Sequence, residues 1–365
     1  MKINFTNLYK LLPKKNKIFK KINHLIKTNQ FIGGEEVIKF ETEFSNFTGS
    51  RYCVSVANGT DALVLAIKAL KLKKGSEAII PVNTWISTAE AVVECGLKLV
   101  FCDVDLNDYS MDLNDLRKKI TKKTKLILPV HLYGNPTNVS KIKNIINKKN
   151  IKIVEDCAQA HGSTIKNKHV GTFGDIGTYS FFPGKNLGCF GDGGAIITNN
   201  KKYYEFVLRA RNHGALKKYD HKFSGQNSRL DTIQAAVLRI KLKNYKKVLT
   251  RRNILANVYK KNLKNIKNVK LFNLRKSYKS CYHQFVIRTN NRNNLQNFLT
   301  NQKISTMIHY PYMLNELNFF NYKKYLPKAH KLGKKILSLP ISEEHSIKEI
   351  VHVCKQINIF FKKNY

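Results

Sequence analysis

Between Arg51 and Thr198, short runs rich in β-branched residues alternate with stretches of helical periodicity, and this alternation restricts the fold more than any other feature. Residues 52–57 read as a strand and 60–71 as a helix, with apolar Leu63, Ile67 and Leu70 on one face. A strand at 77–82, a helix near 84–95 and strands at 98–103, 125–130 and 152–155 continue the series, with a helix over 139–149 before the last. Two further strands, 179–182 and 195–198, flank a glycine-rich loop. Strands alternating with helices pair in parallel through crossovers, so the expected class is α/β, with three layers built on a mostly parallel central sheet.

A long helix is expected from Asp231 towards Tyr245, and after about Thr250 the pattern changes to helices and short strands. With 365 residues the chain exceeds one minimal core. The expected division is a large domain at 1–248, including an N-terminal helical segment, and a smaller C-terminal α/β domain at 249–365. No repeat or low-complexity linker separates them, so they should pack closely.

The net charge of +41 raises nucleic-acid binding, since lysine and arginine neutralise phosphates. Lysine is spread along the whole chain, however, without zinc-finger spacing or a basic heptad region, and this favours a solvated surface. Such a field would still attract an anionic nucleotide. The seven cysteines are scattered with no C-x-x-C pair, which excludes a disulfide framework and a zinc site and suits a reducing compartment. No stretch approaches the ~20 apolar residues of a membrane helix, and lysines interrupt the N-terminal region. The expectation is a cytoplasmic protein without membrane or metal.

Three segments carry chemistry. Asn58-Gly59-Thr60-Asp61 lies between a strand and a helix, where free amides and the helix dipole favour an anion, although Thr60 or Asp61 would also serve as a simple helix cap. Glu155-Asp156-Cys157-Ala158-Gln159 ends an apolar run, placing carboxylates at a strand's C-terminal end, where open α/β sheets bind ligands. Lys185 stands in the one glycine-dense segment, Ser180 to Gly194. Gly184-Lys185 is not a Walker A loop, because Tyr179 takes the earlier glycine position and Asn186 the metal-binding hydroxyl position. A calcium loop starting at Asp103 fails at Asp108 and Asn114. An anion cup, a strand-end acid and a lysine in a flexible loop together suit pyridoxal phosphate, which needs a phosphate site, a Schiff-base lysine and an acid at its ring nitrogen.

At these motifs the chain resembles the DegT/DnrJ/StrS sugar aminotransferases, a pyridoxal-phosphate family of fold type I. The resemblance rests on Asn58 to Leu63, Pro81 to Ile86, Pro129 to Gly134, Glu155 to Gly162, Ser180 to Gly194, Arg211 to Gly214, Asn227 to Asp231, Gln234 to Ala236 and Ile308 to Pro311. It implies that Lys185 bears the cofactor and shuttles the proton, that Asp156 pairs with the ring nitrogen, and that Trp85 stacks on the ring. Gln159 would reach the phenolic oxygen, while Gly59, Thr60 and Ser180 hold the phosphate. Asn227 would reach that phosphate from a neighbouring subunit, making a homodimer with shared sites. Arg229, His309 and Tyr310 would lie near the sugar nucleotide, and His161 and His213 would be structural hydrogen-bonders.

The implied reaction carries the amino group of L-glutamate, released as 2-oxoglutarate, to a nucleotide-linked keto-sugar. A dTDP-linked 3-keto-6-deoxyhexose is preferred, since the Gly59 to Leu63 and His131 to Gly134 segments look closer to the 3-amino branch. The competing readings are a 4-aminotransferase on a UDP- or dTDP-linked 4-keto-sugar, a sugar dehydratase, which would carry histidine in place of Lys185, and a non-catalytic basic nucleic-acid-binding protein on the same fold.

Overall fold

The computed structural model describes residues 1–12, 15–147, 149–322 and 324–364. Its central sheet has seven strands, in spatial order Tyr52–Val56, Gly194–Thr198, Ile176–Ser180, Lys152–Asp156, Thr124–Ile127, Glu77–Pro81 and Lys98–Cys102. Ile176–Ser180 and the four strands that follow it in this order pair in parallel. Strands such as Glu77–Pro81 and Gly194–Thr198 are buried along their whole length. That explains their continuous apolar character: helices around the sheet leave neither face of these strands to water.

One strand departs from the parallel rule. Gly194–Thr198 runs antiparallel to both Ile176–Ser180 and Tyr52–Val56. The segment joining it to Ile176–Ser180 contains no helix, and a parallel pair needs a long crossover that an antiparallel pair does not. The strand expected at 179–182 begins earlier, at Ile176, because Gly177 lets the strand press against Gly171; a Cβ there would lie 2.5 Å from the Gly171 carbonyl oxygen. The helix expected over 139–149 stops at Ile145. The helix expected from Asp231 to Tyr245 is Thr232–Leu242, and a second helix, Tyr245–Leu263, follows it. The boundary expected at 248/249 falls inside that second helix.

C-terminal to it, Lys270–Leu271, Phe285–Arg288 and Ile336–Leu339 form an antiparallel sheet. One continuous apolar cluster joins Val154 and Ile176 of the central sheet to Leu255, Phe285 and Ile350, so the C-terminal part packs directly on the large sheet. The N-terminus crosses the same boundary. Ile3 pairs with Ile304, and the Asn4 carbonyl accepts a hydrogen bond from His345 at 3.0 Å.

Candidate active site

The parallel strands end where the chemistry-bearing residues begin. Asp156 is the last residue of Lys152–Asp156 and is 5% exposed. Its backbone is fixed on both sides, donating to the Pro129 carbonyl at 2.9 Å and accepting from the His131 amide at 3.0 Å. Its carboxylate accepts from the Thr88 hydroxyl at 2.9 Å and the Ala158 amide at 3.0 Å. Burial raises its proton affinity above the ordinary aspartate value, against those donors and the Lys185 charge. Lys185 is pushed the other way, down to about 8, by burial, with Asp156 opposing. A buried carboxylate and a half-buried amine that has no hydrogen-bond partner among the described residues make a site suited to a ligand that carries charge of both signs.

The loop from Phe181 to Gly193 is folded tightly, which corrects the expectation of a flexible segment. The Phe181 amide donates to Gly193 at 2.7 Å, and the Lys185 amide to Phe182 at 2.8 Å. Two glycines are needed for close approach: a Cβ on Gly188 would sit 2.5 Å from the Pro183 oxygen, and one on Gly194 would sit 2.2 Å from the Asn58 oxygen. Asn186 then ties the loop down through the Cys281 carbonyl at 3.1 Å and the His283 ring at 2.9 Å. A cavity of about 570 Å³ opens beside Lys185, lined also by Leu8, Leu12, Phe190, Lys241 and Glu344.

The anion site forms at the start of the helix Gly59–Ala69. Asn58 caps it by accepting from the Asp61 amide at 2.8 Å, which leaves the Gly59 and Thr60 amides without partners among the described residues. Gly59 lies against Ser180, whose Cβ would be 2.7 Å from a Cβ on residue 59. Two free amides at a helix N-terminus beside a hydroxyl fit a phosphate.

Trp85 is 57% exposed, and its ring lies 5.7 Å from that of Tyr310. Gln159 is oriented by the fold, its oxygen accepting from the Tyr133 amide at 2.8 Å and its nitrogen donating to the Tyr310 hydroxyl at 2.9 Å. Its other amide hydrogen has no acceptor among the described residues. His309 bonds Ser338 at 2.9 Å, and its carbonyl accepts from the Tyr133 hydroxyl. Asn227 is exposed and its side chain has no hydrogen bond among the described residues. Arg229 donates to Asn212 at 3.3 Å, but its buried Nε has no partner among the described residues. The His161 ring packs against Tyr179 and Phe181 and interacts with the Ser180 backbone, but among the described residues neither ring nitrogen makes a hydrogen bond of normal geometry. The His213 side chain also makes no hydrogen bond among the described residues, although its carbonyl accepts from His221 at 2.7 Å.

Sequence reading missed Thr88, Gln284 and Ser338, and although it named the segments holding Tyr133, His131 and Glu155 it gave no role to Tyr133 and did not foresee the buried pairing of His131 with Glu155. Thr88 was detectable as the residue one helical turn beyond Thr84, to which it bonds at 3.0 Å. His131, Glu155 and Cys157 lie close enough to suggest a metal. Their donors are already committed. His131 Nδ1 accepts from the Thr137 amide at 2.9 Å, so its Nε2–H donates to Glu155 at 2.9 Å. Glu155 also accepts from the Gly171, Phe173 and Gly174 amides. Although burial opposes its charge, the His131 N–H and these amides hold Glu155 below the usual carboxylate range.

The profile of the DegT/DnrJ/EryC1/StrS aminotransferase family matches residues 13–358. The chain is 38% identical to a dTDP-3-amino-3,6-dideoxy-alpha-D-galactopyranose transaminase of Aneurinibacillus thermoaerophilus, across 92% of this chain and 93% of that one. It is 36% identical to a UDP-N-acetyl-3-dehydro-alpha-D-glucosamine 3-aminotransferase of Acidithiobacillus ferrooxidans, across 94% of each. Among solved structures it resembles S. venezuelae DesV in complex with a ketimine intermediate, with a TM-score of 0.96, 32% identity and 99% of both chains covered.

Proposed function

Because the chain belongs to the DegT/DnrJ/EryC1/StrS aminotransferase family, we propose that it aminates C3 of a dTDP-linked 3-keto-6-deoxyhexose, with L-glutamate as donor. The enzyme is a pyridoxal-phosphate-dependent aminotransferase of nucleotide-linked sugars. The observation that carries our assignment of residues is the geometry at the strand ends: the buried Asp156 carboxylate held by Thr88 and Ala158, the Gly59 and Thr60 amides against Ser180, and Lys185 in the loop just beyond Ser180, where its charge and that of Asp156 act on each other.

When bound, pyridoxal phosphate supplies an electron-accepting ring that makes the hydrogen on the nitrogen-bearing substrate carbon removable. In our reading the Gly59 and Thr60 amides and the Ser180 hydroxyl hold its phosphate. Trp85 would cover one face, and Asp156 would hold a proton on the ring nitrogen. The remaining amide hydrogen of Gln159 would be available to the phenolic oxygen. Lys185 would anchor the group covalently and would take and return the proton at the substrate carbon. The amino group leaves glutamate, which departs as 2-oxoglutarate, and replaces the ketone oxygen of the sugar.

Residues 1–248 supply the cofactor residues in this reading and 249–365 bring His309 and Tyr310 to the sugar, with Arg229 nearby. Asn227, exposed and unpaired, supports a homodimer in which Asn227 of the partner subunit reaches the phosphate. A cytoplasmic setting is supported by seven unpaired cysteines. Among the described residues no helix is long and apolar enough to cross a membrane.

Two expected results test the residue assignment. Gly59→Ala drives a methyl group into Ser180 and weakens pyridoxal phosphate binding by about ten- to a hundredfold, read by cofactor titration. The rate at which apoprotein captures pyridoxal phosphate rises with pH through about 8, as Lys185 loses its proton. The regiochemistry is tested by NMR of the product formed from the dTDP-linked 3-keto-6-deoxyhexose and glutamate. An amine on C3 is expected, whereas amination only of the 4-keto isomer, at C4, rejects the assignment.

A further inference from the structure

The hydrogen bonds behind His309 decide what that residue offers to a substrate. Its Nδ1 lies 2.9 Å from the Ser338 hydroxyl oxygen, and that hydroxyl donates its single proton to Gln284 Oε1 at 2.9 Å. A hydroxyl whose proton is committed can only accept from its other neighbour, so the proton shared with His309 belongs to Nδ1. Ser338 and Gln284 are 1% and 4% exposed, so water does not compete for these bonds. Their positions are also fixed. Ser338 pairs with Val286 and Met307, and the Gln284 backbone N–H donates to the Tyr133 carbonyl at 3.2 Å. The Tyr133 hydroxyl holds the His309 carbonyl.

The opposite ring nitrogen, Nε2, has no hydrogen-bond partner among the described residues. We propose that the Ser338–Gln284 pair locks His309 as the Nδ1–H tautomer, making Nε2 a standing acceptor for a neutral donor, a hydroxyl or amide N–H, on the sugar ring. This rests on the reading of the site given above and deepens it: the enzyme selects a sugar with such a donor near the ketone and disfavours a carboxylate there. The groups around the ring agree. Burial and the Lys185 charge hold His309 neutral, with its pKa lowered to about 4, and His283 feels the same lysine. The remaining titratable neighbours, Tyr133 and Tyr310, are raised by burial and stay protonated. Ser338 and Gln284 are therefore positioning residues that act through His309.

Long-range ¹⁵N–¹H NMR of ¹⁵N-histidine-labelled apoprotein reads the tautomer directly, with His309→Gln identifying the signals among the 11 histidines. Wild type is expected to show a protonated Nδ1 and a bare Nε2 at neutral pH. Gln284→Glu, an acceptor only, keeps that form, while Ser338→Ala gives a mixture. In parallel, the affinity for dTDP-3-amino-3,6-dideoxy-α-D-galactose should fall about three- to tenfold in Ser338→Ala, with that for dTDP alone unchanged. A wild-type ring protonated on Nε2 overturns the proposal, as a rotated Gln284 amide would require. So does unchanged sugar affinity in Ser338→Ala. If the sugar adds nothing to wild-type affinity although C3 amination is observed, the acceptor role is wrong. If C3 amination is absent as well, the parent reading has failed.

Discussion

Lys185→Ala lowers kcat for amino transfer by at least about 10⁴-fold, because one substitution removes both the covalent anchor and the proton carrier. Loss of fold cannot account for this result. Lys185 has a pKa lowered by burial to about 8. The sign follows from linkage: burying this group disfavours folding while it is charged, fully so below its folded pKa, and the penalty disappears as pH rises towards the unfolded value. Alanine removes the penalty, so at neutral pH the unliganded variant should melt no lower than wild type. A small primary amine added to the solution restores part of the proton-transfer rate, which it would not do for a misfolded chain. Parallel melting curves and single-turnover kinetics check both statements.

Asp156→Ala is expected to lower kcat by about 10²- to 10⁴-fold, the range associated with loss of one positioned proton-holding group. The loss falls on catalysis and cofactor retention, and stability moves the other way. Burial raises Asp156 above its ordinary pKa, so its charge opposes folding at pH values above the unfolded pKa, and the opposition eases as pH falls. Asp156→Asn, which keeps the shape and the Thr88 contact, should therefore give unliganded protein at least as stable as wild type at pH 7. Added pyridoxal phosphate raises the wild-type melting temperature more than that of the variant. Denaturation with and without cofactor separates a functional acid from a structural one.

The two residues that dominate these predictions were readable from sequence for local reasons. Asp156 follows an apolar run that can only be a strand, and Lys185 stands in the one segment whose glycines demand a special backbone. The same glycines misled on flexibility, since crowding by Pro183 and Asn58 appears only once the chain is folded. The direction of Gly194–Thr198 was not readable either, because alternation along one strand carries no information about its neighbours' polarity. Ser338 and Gln284 lie far along the chain from Lys185 and act through His309, so no spacing rule relates them to the site. His161 is a motif histidine whose ring packs against Tyr179 and Phe181 near enough to Lys185 to feel its charge, a placement that no spacing rule gives.

The most direct test of amino transfer through Lys185 is the absorbance spectrum of the pyridoxal-phosphate-loaded protein before and after L-glutamate. The expected result is a visible band from the lysine-bound cofactor that glutamate converts to the ultraviolet band of the aminated form, with no lysine-bound band in Lys185→Ala. A wild-type protein that takes up no cofactor, or whose band glutamate leaves unchanged, contradicts the account.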